Sequence, residues 1–239
     1  MKVHLFIPCL VDQFYPNVAV SMCRILRKLG VEYVYPSEQT CCGQPAFNTG
    51  YHAEASQLAE RFLKIFESAE TVVAPSGSCI SMTRIFYPQL ELSQSARNIS
   101  DRLAPRLFEF SEFLVRELEV DEVGAQFSGK VTYHDSCHSL RELNVVDAPR
   151  RLIRNVRGVE LTELNDMQTC CGFGGTFAVK FPAVSASMGE DKVTAIERTG
   201  AHLVVSNDSS CLMQISGILM RRGSRILTMH LAELLAQGI

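Results

Sequence analysis

Tryptophan is missing from the 239 residues, an absence that excludes nothing by itself. Other gaps exclude more. No apolar run approaches the roughly 20 residues that a membrane-spanning helix needs. Neither sign of charge dominates. The net charge is −3, with acidic and basic residues interspersed, so the electrostatic footprint of a nucleic-acid binder is missing. The segment from Met1 to Pro8 holds an apolar run too short for a secretory signal, with no small-residue cleavage site behind it. It reads as the first β-strand of a cytoplasmic protein. The full glycine fingerprint of a dinucleotide loop is missing too, because Gly172-Phe173-Gly174-Gly175 supplies only a fragment of it. No two cysteines stand at the close spacing, two to four residues between them, usual for structural zinc.

What is present is cysteine, nine residues of it. In a reducing compartment that number argues for metal or redox chemistry over a disulfide framework. Two pairs are adjacent, Cys41-Cys42 and Cys170-Cys171, each followed by glycine. A trans peptide sets neighbouring Cα atoms about 3.8 Å apart, below the usual disulfide range. Two neighbouring thiolates reach one metal or cluster from a single turn more easily. The spacing repeats: Cys9-x31-Cys41-Cys42-Gly43-x35-Cys79, then Cys137-x32-Cys170-Cys171-Gly172-x38-Cys211. Cys23 has no counterpart and reads as a core thiol on a helix.

The hydrophobic pattern repeats with the cysteines. Strands are expected over Lys2–Ile7, Val31–Tyr35, Thr71–Ala74 and Arg106–Phe110, and again over Lys130–His134, Val159–Leu164, His202–Ser206 and Arg225–Met229. Amphipathic helices lie between them, including 17–29, 51–69, 149–156 and 182–198. The fold class is therefore α/β: two tandem pseudo-symmetric repeats, each a small parallel sheet flanked by helices. The repeats are placed at 1–120 and 130–239, with 121–129 as a linker and 88–105 as an insertion in the first. Asp135, Asp166 and Asp208 read as caps of turns and helices.

In each repeat the cysteines follow three successive strands. The carboxyl ends of parallel strands share one edge, where distant residues meet. Two ligand sets are expected: Cys9, Cys41, Cys42, Cys79, and Cys137, Cys170, Cys171, Cys211. Four thiolates suit an iron–sulfur cluster, with zinc the second choice. Gly43, Gly172, Gly174 and Gly175 would let backbone approach the bound group. The two cysteine edges are expected to face one shared cleft, lined in part by Gly172, Gly174 and Gly175. His134 and His138 bracket Cys137. Each reads more readily as a strand-end or surface histidine than as a ligand or proton carrier.

These motifs resemble the cysteine-rich CCG-domain family, which includes the heterodisulfide reductase B subunit, the glycolate oxidase iron–sulfur subunit and the A-type lactate utilization proteins. Thr40-Cys41-Cys42-Gly43-Gln44-Pro45-Ala46, Pro75-Ser76-Gly77-Ser78-Cys79 and Cys170-Cys171-Gly172-Phe173-Gly174-Gly175-Thr176-Phe177 are most like the last branch. That resemblance implies an iron–sulfur electron-transfer subunit of a cytoplasmic L-lactate oxidation complex, with B- and C-type lactate utilization proteins as partners. The alternatives are a catalytic thiol/disulfide or 2-hydroxy-acid oxidoreductase subunit, and a zinc-stabilised assembly scaffold. Reductase B subunits close each motif with Cys-x-x-Cys. Here Met82 and Gln214 occupy those places, which argues against a five-cysteine site.

Overall fold

The structure, a computed structural model, describes residues 1–165 and 167–239. Asp166, one of the expected caps, lies outside the described residues.

Among the described residues, eight short strands form two four-stranded sheets, all pairings parallel. The first sheet holds β1 (Lys2–Leu5), β2 (Glu32–Val34), β3 (Val72–Ala74) and β4 (Leu107–Glu109) in the order β2-β1-β3-β4. The second holds β5 (Gln126–Tyr133), β6 (Arg157–Thr162), β7 (Leu203–Ser206) and β8 (Leu227–His230) in the equivalent order β6-β5-β7-β8. The central strands β3 and β7 are buried at every residue, as a parallel strand covered on both faces must be. β5 begins inside the stretch expected as a linker. That stretch is tied down: Val123 and Ala125 are buried, and Asp121 pairs with Arg151 at 2.8 Å.

The helices of the first half are α1 (Cys9–Phe14), α2 (Pro16–Lys28), α3 (Gln44–Phe47), α4 (His52–Ile65), α5 (Gly77–Ser81), α6 (Gln94–Leu103) and α7 (Phe110–Glu112). Those of the second are α8 (Cys137–Arg141), α9 (Asp147–Arg154), α10 (Phe177–Lys180), α11 (Pro182–Arg198), α12 (Ser209–Arg221) and α13 (Leu231–Leu235). α2 starts with Pro16, where the missing N–H costs nothing. It buries Val18, Met22, Ile25 and Leu26 and gives way to Gly30 at φ +70°, a common way to end a helix. α6 fills the expected insertion. The short helices α1, α3, α8 and α10 are absent from the sequence reading, because four to six residues carry too little periodicity to register.

The halves share one core. A single cluster of buried apolar side chains runs from Val3, Leu5 and Phe6 through Tyr133 and Leu152 to Leu231–Ala236. α13, the last helix, packs against α2 of the first half, and α5 packs against α8. At the second of these contacts Gly77 sits so close to Ser139 that a Cβ would lie 1.7 Å from its hydroxyl oxygen.

Candidate metal centre

Each cysteine of the two sets sits where a strand gives way to its connection. Cys9 and Cys137 open α1 and α8. Cys79 and Cys211 lie in the first turns of α5 and α12. The adjacent pairs Cys41-Cys42 and Cys170-Cys171 follow β2 and β6.

One cavity of about 310 Å³ is lined by all eight of these cysteines, a size within the usual range for ligand sites. The expected shared cleft is therefore present, and the two halves face each other across it. The Cys42 and Cys79 sulfurs are 3.5 Å apart. Cys42 and Cys9 both hydrogen-bond to the Cys41 sulfur, and the Gly43 N–H points at it from 3.5 Å. These donors pull the Cys41 pKa down to about 3. The second half repeats the arrangement. Cys137 and then Cys171 support the Cys170 sulfur, the Gly172 N–H lies 3.4 Å from it, and its pKa falls to about 2. Cys42 and Cys171, held as thiols by donating hydrogen bonds in these contacts and lying buried, are pushed up. Each half thus holds one thiolate ready to bind beside thiols whose protons a bound cation must displace.

Polar bonds fix the two halves around the cavity. Ser78 N–H donates to Asp208 across the boundary at 2.9 Å. The Gln44 amide donates to the Ser78 carbonyl at 3.1 Å and lies 3.2 Å from Nε2 of His138. His230 Nε2 meets the Pro75 carbonyl at 3.1 Å. The Tyr87 hydroxyl holds the Cys42 carbonyl at 3.0 Å. Tyr87 and His230 carry no periodic or motif signal of a site; Gln44 belongs to the Thr40–Ala46 motif, which gives no hint of this bonding role.

Two expectations need correction, those for Asp135 and Gly172. Asp208 does cap a helix, α12, by accepting from Ser210 N–H. Asp135 does not: Ser136 caps α8, and Asp135 makes a buried two-pronged ion pair with Arg150 at 2.7 and 2.8 Å. Gly174 and Gly175 line the cavity and Gly172 does not. Gly172 sits against α11, where a Cβ would meet the Ser185 carbonyl at 2.5 Å, and its φ is +84°. Gly43, at φ +87°, faces α4 in the same way with more room. Cys23 is half-buried on α2, away from the cavity, with its thiol beside Tyr33. His138 borders the cavity. His134 is fully buried, and burial holds its pKa down to about 3.

Residues 3–84 and 131–216 each match the family described as Cysteine-rich domain, CCG. The chain belongs to that family. The two matched segments carry the two cysteine sets of the cavity. Relatives include the "Lactate utilization protein A" of Bacillus pumilus (strain SAFR-032), 45% identical over 236 residues and covering 98% of this chain and 99% of the relative. The protein of the same description from Exiguobacterium sp. (strain ATCC BAA-1283 / AT1b) is 45% identical over 241 residues, covering 100% and 98%. Among solved structures, a hypothetical protein from Helicobacter pylori superposes with a TM-score of 0.68 at 8% identity, covering 100% of this chain and 49% of that one. This chain therefore spans about half of that protein, and the likeness is one of fold. Among the described residues no helix is long and apolar enough to cross a membrane.

Proposed function

We propose that this chain is the iron–sulfur electron-transfer subunit of a cytoplasmic complex that oxidises L-lactate to pyruvate. Its partners are the B- and C-type lactate utilization proteins, and residues 1–120 and 130–239 are its two repeat units. The observation that carries the reading is the meeting of four thiols from each half in one cavity. The relatives' name, shared over nearly the whole length, supplies the substrate.

The donor sets fit the group. Four thiols per half match the ligand count of a four-iron cluster. Cys9, Cys41, Cys42 and Cys79 would hold one, and Cys137, Cys170, Cys171 and Cys211 the other. Such clusters, when bound, accept and release single electrons. The chain's own residues set the surroundings. The Gly43 and Gly172 N–H groups direct hydrogen bonds at sulfur, which tunes potential. Leu10, Val11, Phe173 and Val179 form apolar walls that limit water. Among the described residues lining the cavity there is no lysine or arginine, so a lactate carboxylate would find no counter-charge. That supports electron transfer over lactate oxidation by this chain itself.

Anaerobic purification followed by iron, acid-labile sulfide and zinc analysis tests the reading. Iron and sulfide in near-equal amounts are expected. Zinc alone would favour the second reading, since four thiolates per half also make an all-cysteine zinc set.

A further inference from the structure

The two halves are not chemically equal at one place. The Phe6 N–H donates to the Val73 carbonyl at 3.0 Å, and the His134 N–H donates to the Val205 carbonyl at 2.8 Å. These are matching ladder positions, three residues before Cys9 and three before Cys137. Both side chains are fully buried. In the first half the ring is apolar and packs on Phe62 and Phe66, with ring centroids 4.9 and 6.0 Å away. In the second half the same place holds an imidazole.

Among the described residues that imidazole has no hydrogen-bond partner at either nitrogen. A buried polar group left unpaired is costly and rare. One of its nitrogens lies within 4.8 Å of the Cys171 and Cys211 sulfurs, and those two sulfurs lie equally close to each other. The three groups make no ring nitrogen–sulfur hydrogen bond, yet a single ion or cluster iron between them would satisfy all three. Imidazole nitrogen and thiolate sulfur are both good donors to iron and zinc.

We propose that His134 is a nitrogen ligand of the second half's metal centre, beside Cys171 and Cys211. The second half then offers five donors where the first offers four, and only the second combines sulfur with nitrogen. The inference rests on the metal-binding reading above and adds a ligand to it. The two centres are thereby distinguishable by spectroscopy in a chain whose cysteine pattern makes them look identical.

The test is pulsed electron paramagnetic resonance on the full-length chain, reconstituted anaerobically with iron and sulfide and then reduced. Histidine labelled with nitrogen-15 identifies the coupled nucleus. The expected result is a hyperfine coupling of directly bound histidine nitrogen that is kept in His138→Gln and lost in His134→Phe. Phenylalanine is chosen because Phe6 fills the matching site. If His134→Phe fails to fold, the labelled His138→Gln protein still decides, because it removes the histidine that lines the cavity. A full iron and sulfide load without such a coupling overturns this inference and leaves the iron–sulfur reading standing; His134 would then be bridged by water only. A coupling that survives His134→Phe overturns it as well. A chain that binds neither iron nor sulfide sinks the iron–sulfur reading and this inference with it.

Discussion

The Ser78 backbone N–H, in the first half, donates to the Asp208 carboxylate of the second at 2.9 Å. Ser78 stands next to Cys79, and Asp208 stands three residues before Cys211. One bond therefore sets the distance between the two helix starts that carry these cysteines. The same carboxylate caps α12 by accepting from the Ser210 N–H.

Asp208→Ala removes these two bonds, and a third from the Ser210 hydroxyl at 2.6 Å, from a buried position. A loss of about 2–3 kcal/mol in unfolding free energy is expected, one cap plus one buried hydrogen bond. Asp208→Asn keeps an acceptor oxygen and is expected to lose less than half as much. Urea titration followed by circular dichroism measures both. Equal stability of Asp208→Ala and wild type would show that this bond does not help hold the halves together.

The two ligand sets are separable by mutation. Cys41→Ala combined with Cys42→Ala is expected to leave the second set loaded, and Cys170→Ala with Cys171→Ala the first. Iron per chain then falls to roughly half in each double variant, on the four-ligand count per cluster. Complete loss of iron from either one would mean a single centre shared across the cavity.

A pH effect is expected at Glu109, far from the thiols' chemistry. Burial raises its pKa from 4.5 to about 7, against the opposing hydrogen bonds from Ser111 and Glu112. The folded state keeps a proton that the unfolded chain releases near pH 4.5. The resulting stabilisation is complete below that pH and is lost as pH rises through 7. Glu109→Gln stays neutral throughout. Relative to this variant, wild type is expected to lose up to about 3 kcal/mol between pH 4.5 and 7. Parallel stability curves for the two proteins would contradict the assignment.

The paired glycines differ in what they tolerate. Gly43→Ala places a Cβ in ordinary contact at 3.4 Å and strains only the backbone at φ +87°, a cost of about 1 kcal/mol. Gly172→Ala adds a 2.5 Å clash with the Ser185 carbonyl. It is expected to push α11 away and to lower iron uptake by the second half alone. Metal analysis beside thermal melts of the two variants gives the comparison, and equal behaviour would count against the packing role.

The sequence carried the doubled spacing, the succession of strands and helices and the grouping of eight cysteines at one cleft, because each is local or periodic. Parallel topology then brings the cysteines to one edge without further information. What escaped the sequence is set between elements. Phe6 and His134 both read as strand-end residues, and their shared ladder position shows only when β1 and β5 are paired with β3 and β7. Asp135 reads as a cap from its residue type in a loop after a strand, yet Arg150, further along the chain, takes it. Gly172 reads as a cleft residue because it neighbours Gly174 and Gly175. The position of α11 turns it the other way.

The seating of α13 on α2 has a consequence for synthesis. The first half emerges from the ribosome first, but part of its covering layer is encoded by residues 231–235. Domains usually fold as they appear, N-terminal part first. Here the earlier repeat stays incompletely wrapped until residues 231–235 have been made. A metal centre of the kind proposed for that repeat would then assemble late, when both cysteine edges already face each other.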